Sequence, residues 1–83
     1  MGHQECVEAW IEQNPSKRAI ADARIKDHGV AVWAIVAHYD AKKDNAEQVA
    51  AGFGLPVEAV RAALAYYKRH KKLIDARIAL NAA

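Results

Sequence analysis

Apolar and polar positions alternate most regularly just past the middle of the chain, where they predict two short helices joined by a tight turn. The first helix is expected to begin at Asn45, a common N-cap residue, with Gln48 placed to complete a capping box. Gly52 and Gly54 are expected to end it, because glycine tolerates the positive φ of a sharp reversal. Pro56 suits the first position of the second helix. The pattern is typical of a helix-turn-helix.

Two sets of apolar residues indicate how this helix-turn-helix, at residues 45–64, would pack. The inward faces of its two helices carry Val49, Ala50, Phe53, Leu55, Val60 and Leu64. A preceding core helix is predicted from the shared face of Val32, Ile35, Val36 and Tyr39, with Trp33 beside them. We therefore expect one mainly α domain with a homeodomain-like three-helix core within residues 16–70.

The N-terminal residues fit more than one pattern. Residues 5–13 alternate as a strand would, but they also fit a helical face. A strand or arm within residues 1–15 is favoured, pairing with another copy or a partner. The alternative is an arm that covers the core, with Trp10 as its apolar plug.

A short helix is predicted over residues 16–28, with Ser16 as its cap and Gly29 as its stop. Its apolar side would carry Ala19, Ile20, Ala23 and the stem of Arg24.

Beyond Pro56 no glycine or proline interrupts the chain, and a heptad pattern extends over residues 57–78. It consists of Val57, Val60, Leu64, Tyr67, Lys71, Ile74 and Ile78. Because Lys71 interrupts it, either the helix bends within residues 66–72 or the pattern divides into a domain half and a partner-binding half. We expect residues 71–81 to form a helical extension whose Ile74 and Ile78 stay exposed, with Leu80 as a candidate third member of this apolar strip. Truncation after Lys72 should then preserve the fold.

Length and composition favour a small helical protein that associates. A chain of 83 residues forms one marginally stable domain, so a homodimer or another partner is expected. The 53% apolar share is rich in alanine, which suits close helix packing. A single cysteine forms no internal disulfide, and no apolar run is long enough for a signal peptide or membrane span. A cytoplasmic location is expected.

Basic residues are concentrated late in the chain, where six basic residues and one acid follow from Arg61 onward. Such a region attracts phosphates or an acidic protein, although cations late in a helix also complement its dipole. The start of the second helix would enter the major groove with Pro56, Glu58, Ala59, Arg61 and Ala62. Arg61 is the candidate for guanine or phosphate, and its alternative is pairing with Glu58. The candidate contacts to the DNA backbone are Lys42, Lys43, Lys68, Arg69 and Lys72.

Catalytic chemistry is not indicated. The histidines are scattered, at His3, His28, His38 and His70, without the spacing of a metal site. Cys6 has no base nearby in the sequence, and the glycines belong to a turn rather than to a phosphate-binding loop. The sequence therefore predicts no enzyme, no metal site and no cofactor.

Four segments resemble a family of small bacterial proteins, domain of unknown function 433. They are WIEQNP at 10–15, ARIKDHGVAVWAIV at 23–36, AEQVAAGFGLPVEAVRAALAYY at 46–67 and RHKKLIDARI at 69–78. Many members have a Gly-Thr-Arg-Ile type turn before the first core helix. Here Asp22-Ala23-Arg24-Ile25 is followed by the extra residues 26–31.

The resemblance implies an antitoxin-like helix-turn-helix protein that neutralises a partner toxin, a PIN-like ribonuclease, and binds operator DNA to regulate its own operon. Trp10, Ile74 and Ile78 are the candidate partner-binding residues. Two other functions remain open: a stand-alone transcriptional regulator that dimerises through residues 57–78, and an interaction module without DNA binding.

Overall fold

The computed structural model describes residues 7–14, 19–42 and 45–82. In these ranges the chain is mainly α, as predicted, with a small antiparallel sheet. The helices are α1 (Val7–Trp10), α2 (Val32–Lys42), α3 (Ala46–Phe53), α4 (Val57–Arg69) and α5 (Lys71–Ala82). The strands are β1 (Ile11–Glu12) and β2 (Arg24–Ile25), and a 3₁₀ helix spans Ile20–Asp22. The homeodomain-like arrangement stays a prediction.

The predicted core helix is α2, which packs against both helices of the helix-turn-helix. Val32 and Ile35 are fully buried and Val36 nearly so, because their spacing places them on one side of the helix. Tyr39 was predicted on the same face, but the residue is 37% exposed. It lies one turn beyond Val36, on the rim of a groove that is described below.

The helix-turn-helix forms where the sequence predicts it. The Asn45 side chain accepts a 2.9 Å hydrogen bond from the backbone N–H of Gln48 and so caps α3. Gly54 ends α3 with a φ of 70°, as expected of the turn glycine. Three residues separate α3 from α4, and the chain direction changes by 112° between them. This geometry matches the short turn and the 90–120° crossing typical of the motif.

Two details of the turn differ from the prediction. Gly52 lies inside α3, so Gly54 alone ends that helix. Pro56 has an extended ψ of 147° and precedes α4 as its N-cap, instead of occupying the first helical position. Its fixed φ suits that position equally well, and α4 begins at Val57.

The N-terminal arm covers the core of its own chain. β1 pairs with β2, with Ile11 opposite Ile25, and Arg24 donates a 2.7 Å hydrogen bond to Glu12. Ile11 is buried, and Trp10 packs against the core while remaining partly exposed. The favoured prediction, a strand that pairs with another molecule, is therefore wrong for β1, and the core-covering alternative is confirmed.

The helix predicted over residues 16–28 does not form in the described part, residues 19–28. A 3₁₀ helix and β2 occupy this range, followed by a turn in which Asp27 and Gly29 both have positive φ. The strand is favoured because the Ile25 N–H donates to the Val30 carbonyl and the Lys26 N–H donates to that of Trp10. Of the predicted apolar side Ala23 is buried, but Ala19 and Ile20 are exposed. Ser16 lies outside the described residues.

The long C-terminal helix is broken at His70, whose φ of −131° and ψ of 39° end α4. This confirms the alternative in which the helix bends within residues 66–72. The break lets α5 fold back against α2 and the 3₁₀ helix. Ile74 is thereby fully buried and Ile78 packs against the core, so the predicted exposed strip is wrong for Ile74. Since α5 is part of the core, the expectation that the fold survives truncation after Lys72 has no support in this packing.

Candidate nucleic-acid interface and neighbouring surfaces

The outward face of α4 carries the cations best placed for a nucleic acid. Arg61 and Lys68 are exposed, and their separation of seven residues puts them on one side of the helix. A rise of about 1.5 Å per residue separates them by about 10 Å along the axis. The face forms because the opposite side of α4, with Ala59, Val60, Ala62 and Ala63, is buried.

Burial removes two residues from the surface predicted for DNA. Ala59 and Ala62 have no exposed area, because α4 packs closely on α2 and α3 through its alanine side. Pro56 and Glu58 are exposed, as is Arg61. The residues available at the start of α4 are therefore a proline, a carboxylate and a guanidinium.

Arg61 is paired, but with a different acid from the one predicted. Its guanidinium lies 3.7 Å from the carboxylate of Glu47 on α3, and both side chains are more than half exposed. An exposed ion pair at this distance contributes little to stability, typically less than about 1 kcal/mol. Arg61 can therefore exchange Glu47 for a phosphate at small cost.

Lys68 and Arg69 are neighbours in sequence but border different hollows. Lys68 lies on the rim of a groove between α2, α4 and α5. Arg69 borders a smaller hollow of about 220 Å³ near Val7 and Ile11, and it already has an interaction partner. The structure thus places Lys68 beside Arg61 and separates Arg69 from them. Lys43 and the side chain of Lys42 lie outside the described residues.

The groove between α2, α4 and α5 has a volume of about 880 Å³. Val36, Leu64 and Ile78 line it with apolar surface, and Tyr39 stands at its rim. It exists because the break at His70 sends α5 back along α2, leaving a gap beside α4. No sequence pattern indicated this groove, since its walls come from three separate helices.

A hydrogen-bonded network joins α4 and α5 on the polar rim of the groove. The Tyr67 hydroxyl donates to one oxygen of Asp75 at 2.6 Å, and Lys71 donates to the other oxygen at 2.8 Å. The Lys71 and Tyr67 hydrogen bonds lower the pKa of Asp75. The bond to Asp75 raises the pKa of both Tyr67 and Lys71. The three groups therefore favour one protonation state, with a neutral phenol, an ammonium and a carboxylate.

The predicted partner-binding residues are less exposed than expected. Ile74 is buried, and Trp10 and Ile78 are partly covered by the core. The exposed apolar residues of α5 are Leu73 and Leu80, which are 50% and 71% exposed. Sequence analysis included Leu80 in the exposed strip but missed Leu73, because the heptad pattern continued from α4 marks the opposite side of α5.

The described residues contain no group of three or more His, Cys, Asp or Glu side chains close enough to hold a metal ion. His38 instead contacts the Phe53 ring edge-on, with centroids 5.4 Å apart, and His70 lies against Tyr66. His3 and Cys6 fall outside the described residues. Within the described ranges no single helix has the length and apolar character to cross a membrane.

Comparison with known proteins gives one match. Residues 11–67 match the family described as "Protein of unknown function (DUF433)", which covers more than half of the chain. The chain belongs to this family. The matched range runs from β1 to the last turn of α4 and includes the whole helix-turn-helix. No curated protein and no solved structure matches the chain.

Proposed function

We propose that this DUF433 protein is a cytoplasmic DNA-binding antitoxin, in which α4 enters the major groove and the same molecule neutralises a partner toxin. The observation that carries the DNA-binding part is the exposed Arg61–Lys68 face on the second helix of a three-residue, 112° helix-turn-helix. In this motif the second helix lies in the groove and the first crosses the backbone.

The charges on this face favour contacts to phosphates over recognition of bases. Near the N-terminus of α4, Arg61 is exposed and pairs with the Glu47 carboxylate, and a second exposed carboxylate, Glu58, lies in the first turn of the same helix. Lys68 is exposed and makes no ion pair with a described residue, which favours its use as a phosphate contact. Two cations spaced by about 10 Å suit successive backbone positions better than a single base pair.

The DNA-binding part is tested by salt dependence. A duplex from the region upstream of the gene and an unrelated duplex of equal length are titrated by fluorescence anisotropy at several salt concentrations. Removing one phosphate contact lowers the log–log slope by about 0.9, so Arg61→Ala and Lys68→Ala should each reduce it by about that amount. Lys26→Ala is the charge-matched control, since Lys26 lies beside β2, and its slope should equal that of wild type.

A second variant uses the Arg61–Glu47 pair. Glu47→Gln removes the competing carboxylate from Arg61 and should tighten DNA binding, with the gain absent in the Arg61→Ala background. Equal slopes for wild type, Arg61→Ala and Lys68→Ala, or no binding at low salt, would refute the DNA-binding part.

The antitoxin part rests on the family resemblance, and its test is the product of the adjacent gene. We expect that product to inhibit growth when expressed alone, to be neutralised on co-expression, and to copurify with this chain. Growth without inhibition when the neighbouring product is expressed alone would leave a stand-alone regulator as the function.

A further inference from the structure

The solvent face of α5 carries an apolar strip that no described residue covers. Leu73 and Leu80 are two of the four large apolar side chains that stay exposed among the described residues. They are seven residues apart, so they lie on one side of the helix, with exposed Ala76 between them. The buried side of α5, with Ile74, is already used by the core. Leu73, Ala76 and Leu80 are spaced by three and four residues, as are the residues by which one helix of a coiled coil contacts the other.

The charges of α5 are placed unfavourably for an isolated helix. Lys71 and Lys72 stand at its N-terminus, where the helix dipole is positive, and its first turn has no acid. Its last turn, at the negative end of the dipole, contains no basic residue. Lys71 is compensated by Asp75, but Lys72 forms no ion pair with a described residue.

A second α5 packed in antiparallel orientation would compensate the unfavourable charges at both ends of the helix. It would place Lys72 of each helix beside the C-terminal carbonyls of the other, and Leu73 of each against Leu80 of the other. A two-fold axis near Ala76 produces both contacts at once, as an isologous interface requires. A parallel pair would instead bring the two Lys72 side chains together. We propose that the Leu73–Leu80 strip is a self-association surface on which a second copy of this chain packs its α5 antiparallel.

The expected dimer is weak. A helix of twelve residues offers less than the about 800 Å² per partner of a standard interface, so the dimer should dissociate on dilution into the micromolar range. This surface lies on α5, outside the Arg61–Lys68 face. The inference therefore depends neither on DNA binding nor on a toxin, and its test contains neither.

Sedimentation equilibrium of the full-length chain, over micromolar to near-millimolar concentrations, is the test. The double variant Leu73→Ser/Leu80→Ser should raise the dimer dissociation constant more than ten-fold and keep the helical circular dichroism of wild type. Ile20→Ser is the matched control, because Ile20 is 42% exposed on another element, and it should dimerise as wild type does. Tyr39→Ser, on the groove rim, should also have no effect.

Lys72→Glu tests the antiparallel orientation, because it should preserve or raise the stability of the monomer and weaken the dimer. An acid at the start of α5 suits its own dipole, so the melting temperature of dilute monomer should be equal or higher. The same acid would face the C-terminus of the partner helix, so the dimer should weaken. A stronger Lys72→Glu dimer would overturn the antiparallel arrangement. The proposed surface would be wrong if wild type stays monomeric over the whole concentration range, or if the dimer survives Leu73→Ser/Leu80→Ser. It would also be wrong if Tyr39→Ser or Ile20→Ser abolishes the dimer.

Discussion

Arg77 of α5 and Asp22 of the 3₁₀ helix form an ion pair, with 3.0 Å between a guanidinium nitrogen and a carboxylate oxygen, although they are 55 positions apart in the sequence. Their side chains are 24% and 10% exposed. The guanidinium also lies 5.8 Å from the centre of the Trp33 ring on α2. This contact fastens α5 to two elements that precede the helix-turn-helix. It explains why the C-terminal helix lies on the core and does not extend from α4.

Breaking this pair should destabilise the protein clearly. Asp22→Ala leaves a largely buried guanidinium without its carboxylate, and we expect a loss of about 2–3 kcal/mol in the free energy of unfolding. Urea denaturation measures it, and adding Arg77→Met should recover part of the loss. The control Glu47→Ala removes an exposed pair and should cost less than about 1 kcal/mol. Equal losses for the two single variants would contradict the difference in burial.

The fully buried Ile74 gives a second stability prediction. Ile74→Ala should cost about 2–5 kcal/mol, because it creates a cavity where α5 meets the core. The control Leu73→Ala alters the next residue, which is half exposed, and should cost much less. Truncation after Lys72 should abolish cooperative thermal unfolding followed by circular dichroism. A truncated protein that melts as wild type does would show that α5 is dispensable.

The two glycines near the turn should respond to substitution with opposite signs. Gly54→Val forces a β-branched residue to a φ of 70° and should cost about 1 kcal/mol or more. Gly52→Ala is expected to stabilise by about 0.5–1 kcal/mol, because Gly52 is exposed inside α3. An added Cβ there would meet only the His38 ring, at 4.0 Å. Thermal melts test both, and a stabilising Gly54→Val would mean that the turn has another conformation.

The Tyr67–Asp75–Lys71 network should make stability depend on pH at both extremes. Because the pKa of Asp75 is lowered, its contribution is present above its ordinary pKa of about 4 and is lost as the pH falls through the lowered value. The pKa of Tyr67 and Lys71 is raised, so their contribution is complete below about pH 10 and is lost as the pH rises through the raised values.

The difference in melting temperature between wild type and Asp75→Ala should therefore be largest between about pH 5 and 9 and shrink on both sides. Asn81→Ala is the control, since Asn81 is exposed on the same helix and has no titratable group, so its difference should not shrink at the two pH extremes. A constant difference for Asp75→Ala would show that the network does not form in solution.

Short-range rules determined the central part of this protein. The spacing of Val32, Ile35 and Val36 was sufficient to predict α2. The Asn45 cap and the positive φ of Gly54 depend only on residues a few positions away, so sequence alone located both ends of α3. The exposed Arg61 followed from the same helical period that buried Val60, whereas the burial of Ala62 was not predicted.

Only the tertiary structure decided the two ends of the described chain. Residues 19–28 are of types that favour a helix, but β2 within this range pairs instead with β1, twelve or more positions away. The heptad pattern is interrupted at Lys71, which left a bend and a continuous helix both possible. α5 turns back because burial of Ile74 and the Arg77–Asp22 pair outweigh helix continuity. Periodicity records which residues share a face of one element. It carries no information about the distant residue that the face will meet, and this is why the groove and the exposure of Leu73 on the same side as Leu80 emerged only from the folded chain.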